Sequence, residues 1–297
     1  MSATTHYFLL YVAIFILLGW TLYVNFRNGQ LNMGCIYTMA IGAYFSTIAS
    51  QKWGWPLAPA IFVAVVVGTL AAFLPSLFLA QVPPFTLVIA TLGFIGITQA
   101  VIRNTLYLGG AYGLHNIPSL PHVLLISWIT VVAMGFLIYR LDHSRFGRAM
   151  EMIAVDPDLA ATMGVNRYRG GVFLQTFSGV LGSIGGVLYA SFANGLYPQF
   201  FGFGVLLRVC SFFFIGGATT MWGVAVFTPI LWAVSIFLPA GIAAWKDVIF
   251  GTLMIGIVVA RPNGAIDRRL LRAIENKIRQ WRGLEPIGVL KPIYGKK

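Results

Sequence analysis

Side chains with chemical potential are few in this chain, and they are scattered. Asn28, Gln30 and Asn32 stand beside Gly29 and Gly34, a lone Arg208 interrupts an apolar run, and Asp156-Pro157-Asp158 falls within a charged stretch. His6, His115, His122 and His143 have no cysteine or carboxylate at ligand spacing, and Cys35 and Cys210 lie singly in apolar surroundings. No metal centre and no nucleophile–base pair is therefore expected, and the two cysteines read as small core residues. Gly295-Lys296-Lys297 does not complete a phosphate-binding loop, so the chain is not expected to hydrolyse ATP by that route or to act as an enzyme. What remains is the chemistry of isolated polar groups in an apolar medium: hydrogen bonding, one cation and helix capping.

The medium follows from composition. Of 297 residues, 58% are hydrophobic and 9% charged, with a mean hydropathy of +0.83. Soluble domains carry about 25% charged residues. Uncharged runs such as Pro56–Gln81 and Val172–Leu207 are long enough to cross a hydrocarbon core of roughly 30 Å as helices. The short alternating segments of a membrane β-barrel are missing from the sequence. The expected fold class is all-α, a polytopic bundle with spans near 7–26, 33–50, 57–80, 85–102, 123–139, 171–191, 204–221, 223–239 and 246–260, about nine in number. The first of these has no basic residue before it and no small-residue cleavage site after it, so it reads as a retained span.

Charge placement orients the bundle. The net charge of +12 could suggest nucleic acid, but ten of the 20 basic residues lie from Arg261 onward and five more lie in 140–169. That is the pattern of cytoplasmic segments, not of a nucleic-acid surface. With 140–170 inside, five spans counted backward put the N-terminus outside, and four counted forward put Arg261 inside. Residues 1–265 form the membrane domain on this reading, and 266–297 a basic cytoplasmic tail. The tail places Leu270, Ile274, Ile278 and Trp281 at helical spacing among basic residues, which suits either an interfacial helix on anionic lipid or a protein contact.

The first 141 residues hold no Asp or Glu and four Lys or Arg, whereas the 30 from Arg140 to Arg169 hold nine charges. Such a segment must be in water. Within it Asp156 can cap free N–H groups, Pro157 suits the first helical position, Asp158 complements the positive helix end, and Gly164 is a natural stop. The resulting rod of about two turns has Leu159 and Met163 on one face, flanked by Ala160. A helix this short is unstable alone. It reads either as a solvated connector or as a rod seated in a partner's groove.

Inside the bundle, Ser178, Gly182, Gly186 and Ala190 recur every four residues and form a ridge for close helix packing. Asn28, Gly29, Gln30, Asn32 and Gly34 read either as a gate or pathway element at a helix break or as a plain cytoplasmic turn. Arg208 reads either as a cation snorkelling to the outer interface or as one that attracts a carboxylate-bearing solute.

These residues carry a resemblance. SRFGRAMEMIAVDPDLAATMGVNRYR, from Ser144, resembles the cytoplasmic loop of permease subunits in the branched-chain amino acid ABC importer family. GQLNMGCIYTMAIGAYF, from Gly29, is similar to the family's Gly-Gln-Leu segment. TLGFIGITQAVIRN with LGGAYGLHNIP, between Thr91 and Pro118, resembles a span and outer loop of its M-type subunit. FFGFGVLLRVCSFFFIGGATTMWG, from Phe200, and Arg261-Pro262-Asn263-Gly264 are similar to its late segments. The resemblance implies a permease fold and a coupling helix over Asp156, Pro157, Leu159, Ala160, Met163 and Gly164. It also implies two cytoplasmic ATPase subunits that bind ATP-Mg, a second related permease, an extracytoplasmic solute-binding protein, and a place in the bacterial inner membrane. No cofactor is expected on this chain itself.

Departures bear on the cargo. Relatives often carry an acid at the positions of Gly96 and Arg208, and a proline after Trp222-Gly223 that this chain lacks. An amino acid, branched-chain first, is the expected cargo, with urea, an amide or an aromatic acid as alternatives. An ion-coupled carrier fits less well, because no carboxylate precedes Asp142 and the one later acid near a span is Asp247, at its end.

Overall fold

A computed structural model describes residues 3–118, 120–237 and 246–260. The basic tail and the Arg261–Gly264 segment lie outside these residues. Nine membrane-region helices coincide with the nine apolar runs: α1 (Ala3–Phe26), α2 (Cys35–Gln51), α3 (Leu57–Leu79), α4 (Pro84–Asn104), α5 (Val123–His143), α8 (Arg167–Phe192), α9 (Phe203–Gly216), α10 (Met221–Phe237) and α11 (Lys246–Ala260). Two shorter helices, α6 (Arg145–Val155) and α7 (Pro157–Thr162), lie in the charged loop.

Helix α1 lies at the centre, with 78% of its apolar window buried, whereas α3, α4 and α5 each bury 22% of theirs. Their outward faces carry large apolar side chains such as Phe62, Phe78, Ile97 and Phe136, and in lipid such exposure has no hydrophobic cost. Packing is what must hold the helices together, and it runs through small residues. A Cβ on Gly182 would collide with Thr38, and one on Gly186 with the Met39 carbonyl, both on α2. On α3, Ala60, Ala64, Gly68, Ala72 and Ser76 form a matching ridge, with Gly68 against Ser183 and Ala72 against Gly179 of α8. Bulk at any of these points would push whole helices apart.

Contacts define two ends. At the charged end, Arg27 following α1 meets Asp142 of α5 and Glu151 of α6, and Gln30 reaches the Ala80 carbonyl beyond α3. At the opposite end, β1 (Leu114–His115) pairs antiparallel with β2 (Gly195–Leu196), and Gln51 of α2 donates to the His115 and Asn116 carbonyls at 2.8 and 2.7 Å. Helices α1 to α5 and α8 therefore run between the two ends.

The expected nine crossings are not reproduced. Among the described residues, five helices are long and apolar enough to cross a membrane, or six if the bent pair α9 and α10 counts as one span. The pair turns by 120° at Gly217, whose φ of 118° favours glycine. Helix α9 enters from the opposite end, with Gly202 against Gln99, and brings Phe213 to Phe26 near the charged end. Helix α10 then climbs back along α1, with Val224 at Gly19 and Trp232 stacked on Phe15 and Tyr11. Trp20 Nε1 donates to the Met221 carbonyl at 3.0 Å and holds the tip. At 14 residues, or about 21 Å, α9 is too short to span the core alone. The apolar run was long enough on paper; the Gly216-Gly217 break shortened the helix.

Candidate functional site: a capped rod at the charged end and a buried polar junction

Helix α7 is assembled by local chemistry. Asp156 Oδ1 accepts from the backbone N–H of Asp158 and of Leu159, both at 3.0 Å, Pro157 begins the helix, and Gly164 ends it at φ 79°. Ala160 faces inward at 1% exposure, while Leu159 and Met163 stand out at 57% and 69%. Met152 and Val155, at the end of α6, are exposed as well, Val155 at 83%. Four large apolar side chains are thus presented within the most charged stretch of the described residues, where the surroundings are water. An apolar patch of this kind marks an interaction surface.

Helix α6 lies behind that surface. Ser144 Oγ accepts from Gly147 N at 3.0 Å and starts it. Met150 and Ile153 bury against Gly170, and Ala154 packs on Gly29, where a Cβ would stand 3.2 Å from the Ala154 Cα. Gly29 adopts φ 74°, so both the turn and the close approach require glycine. Sequence reasoning missed this helix. Its signal was the capping serine followed by apolar residues at 146, 150 and 153.

Asn28, Gln30 and Asn32 are all buried. Asn28 Nδ2 donates to Gln30 Oε1 at 3.3 Å, and the Gln30 N–H donates back to Asn28 Oδ1 at 3.2 Å. Gln30 Nε2 donates to the Ala80 carbonyl at 2.6 Å, and Gln175 Nε2 of α8 donates to Gln30 Oε1 at 3.0 Å. Asn32 Oδ1 accepts from Gly34 N at 2.8 Å, immediately before α2. One glutamine thereby joins the α1–α2 connection to α3 and α8.

Arg27 adds charge to the junction at 8% exposure. Its Nε lies 3.0 Å from Asp142 Oδ1 and its Nη1 3.5 Å from Glu151 Oε2, while Tyr23 OH donates to Asp142 Oδ2 at 2.6 Å. The Arg27–Asp142 pair is close but poorly aligned for a hydrogen bond, so its attraction is mainly Coulombic. Arg27, Tyr23 and Gln175 were also missed. Their partners lie 115 or more residues away, and only the coincidence of a basic residue ending the first span with the first acid ending the fifth hinted at the pair.

Ser178, Gly182, Gly186 and Ala190 lie on the buried side of α8. Arg208 lies elsewhere, six residues into α9, half-buried on the wall of a cavity of about 230 Å³. No group of three or more metal-ligating side chains is found among the described residues.

Residues 4–258 match the family described as branched-chain amino acid transport system / permease component. The chain belongs to this permease family. Among curated proteins the permease is similar to the autoinducer 2 import system permease protein LsrC of Yersinia pseudotuberculosis serotype O:3, at 26% identity over 91% of this chain and 78% of the relative. The same protein of Yersinia pestis strain Pestoides F matches at 26% identity with the same coverage. No solved structure matches. The M-type assignment and an amino-acid cargo are finer than these matches: the family is shared, and the named relatives import autoinducer 2.

Proposed function

We propose that this permease forms part of the membrane path of an ATP-driven importer, with α7 as the element that receives force from a cytoplasmic ATPase. The observation that carries the reading is the exposed apolar surface of Met152, Val155, Leu159 and Met163 at the charged end of a membrane bundle. A two-turn rod capped at both ends and pinned by Ala160 suits a groove in a partner. Closure of two ATPase subunits on ATP-Mg would move the rod, and α6 would pass the motion to Gly29, Arg27 and the Gln30 junction. The permease would pair with a second, related membrane subunit and receive solute from an extracytoplasmic binding protein. The charged end then faces the cytoplasm of a bacterial inner membrane, with the N-terminus outside and the basic tail inside.

The cargo is a small solute. An amino acid is the reading that the family description and the M-type resemblance support; the relatives' names support autoinducer 2 as a second. Co-purification tests the docking assignment. Leu159→Asp with Met163→Asp should release the ATPase subunits and leave the bundle folded, and retention of ATPase with normal uptake would sink the reading.

A further inference from the structure

We propose that the corner between α5 and α6 binds an anionic phospholipid, with the headgroup phosphate on Arg140, Arg145 and Arg148 and the acyl chains along the outer face of α5. The inference requires that the bundle lies in a membrane; it does not require α7 to dock an ATPase.

One helix face supplies the first half of the site. Leu125, Ile129, Val132 and Phe136 are all exposed, and their spacing of three and four residues puts them on one side of α5. Val123, Ser127, Val131 and Ile138 are buried on the other side. The exposed stripe continues through Tyr139 to Arg140 and His143, in the last turn. From Ile129 to Tyr139 it runs about 15 Å, half of a hydrocarbon core of roughly 30 Å and so one leaflet. Along this face the chain passes from aliphatic side chains to an interfacial tyrosine and then to a cation. That is the order of a phospholipid read from tail to phosphate.

Helix α6 supplies the second half. Ser144 ends α5 and caps α6, and Arg145 and Arg148 follow within four residues, both exposed. Arg148 Nη1 donates to the His143 carbonyl at 2.9 Å, which folds that side chain back over the end of α5. The Tyr139 and His143 rings lie 4.2 Å apart beside it. The one acid in the corner, Asp142, is turned to Arg27 and Tyr23 instead. Three guanidiniums within nine residues, with the local carboxylate facing inward, leave positive charge at the end of an apolar face. The far end of the same face lacks this charge, since no Lys or Arg occurs from 104 to 139. An anionic phosphate answers the guanidiniums through charge-assisted, bidentate hydrogen bonds while its tails cover the stripe. A zwitterionic choline headgroup would bring its own cation against them. A lipid held there would anchor the first turn of α6 to the bilayer surface.

The test uses the full-length chain, purified in detergent with whatever subunits accompany it. Dioleoyl phosphatidylglycerol, dioleoyl phosphatidylcholine and inorganic phosphate are titrated at matched ionic strength while the melting temperature is read. Phosphatidylglycerol should raise it saturably; the zwitterionic lipid and free phosphate should not. Arg140→Gln with Arg145→Gln should weaken the apparent affinity for phosphatidylglycerol about tenfold or more, whereas Arg140→Lys with Arg145→Lys should keep most of it. Arg148, which also holds the end of α5, is left intact in both. A photoreactive phosphatidylglycerol, which needs no variant, should label the peptide 125–148. The proposal is overturned if phosphatidylglycerol has no effect, if phosphatidylcholine acts equally, if inorganic phosphate alone reproduces the shift, if the glutamine pair retains it, or if the label lies elsewhere. A glutamine pair that releases ATPase yet keeps the lipid shift would assign the corner to a protein contact, which also counts against it. Release of ATPase by Leu159→Asp with Met163→Asp is a separate measurement, so the importer reading stands or falls independently.

Discussion

At the charged end, α1, α5, α6 and α8 meet through side chains: Arg27 with Asp142 and Glu151, Tyr23 with Asp142, Gln30 with Gln175. At the opposite end a backbone pair, β1 with β2, is tied in by side chains that donate to main-chain carbonyls, Gln51 and Tyr44, and Lys52 lies over the Tyr107 ring. Backbone pairing fixes the relative position of segments almost independently of side-chain rotamers. A buried ionic and amide junction is different: its energy depends steeply on alignment, and partial disruption is costly. On the reading proposed above, the opposite end would hold shape and the charged end would register displacement of α6 and α7.

Breaking the charged end at its surface should have the largest effect. Leu159→Asp with Met163→Asp is expected to lower ATP-driven uptake by at least about a hundredfold, measured in vesicles, with unchanged membrane levels of the protein. Arg27→Met should come next. It strands a buried carboxylate on Asp142, and a destabilisation of about 3–5 kcal/mol is expected in thermal melts. Asp142→Asn on that background should recover much of the loss, which separates an ionic role from simple packing.

Gln30→Ala sharpens the comparison within the junction. It removes the acceptor of Gln175 and the donor to Ala80, at a cost of about 1–3 kcal/mol. If the junction transmits motion, ATPase activity should persist while solute moved per ATP falls; an unchanged ratio would reduce the junction to structure. The smallest effect is expected at the opposite end. Tyr44→Phe deletes one hydrogen bond to the Leu196 carbonyl, worth about 0.5–1.5 kcal/mol, and should leave that ratio unaltered.

Different parts of this molecule were legible to different degrees. Each apolar run became a helix because lipid leaves the backbone no other way to satisfy its hydrogen bonds. Run length nevertheless overstated crossings at 204–239, where one glycine pair redirected the chain and the tip stayed inside the bundle. Asp156, Pro157 and Gly164 could be placed because capping is local chemistry. The α8 ridge was visible as a four-residue period, but its mate on α3 was not singled out, since alanines in an apolar helix look like filler until a second backbone lies against them. Arg208 could be placed on its span but not against its neighbours; Tyr11, Phe15, Tyr189 and Trp232, which share its cavity, come from three other helices.

By itself the sequence determined the medium, the all-helical class, the charged loop between the fifth and sixth long spans and the capped rod within it, because hydropathy, capping and periodicity act over a few residues. Only the tertiary structure decided that Arg27 finds Asp142, that Gln30 joins three helices, that α9 and α10 fold back as a pair, and that Arg208 faces a cavity. Those outcomes depend on which helices are neighbours, and that is settled by the fit of small-residue ridges between segments far apart in the chain.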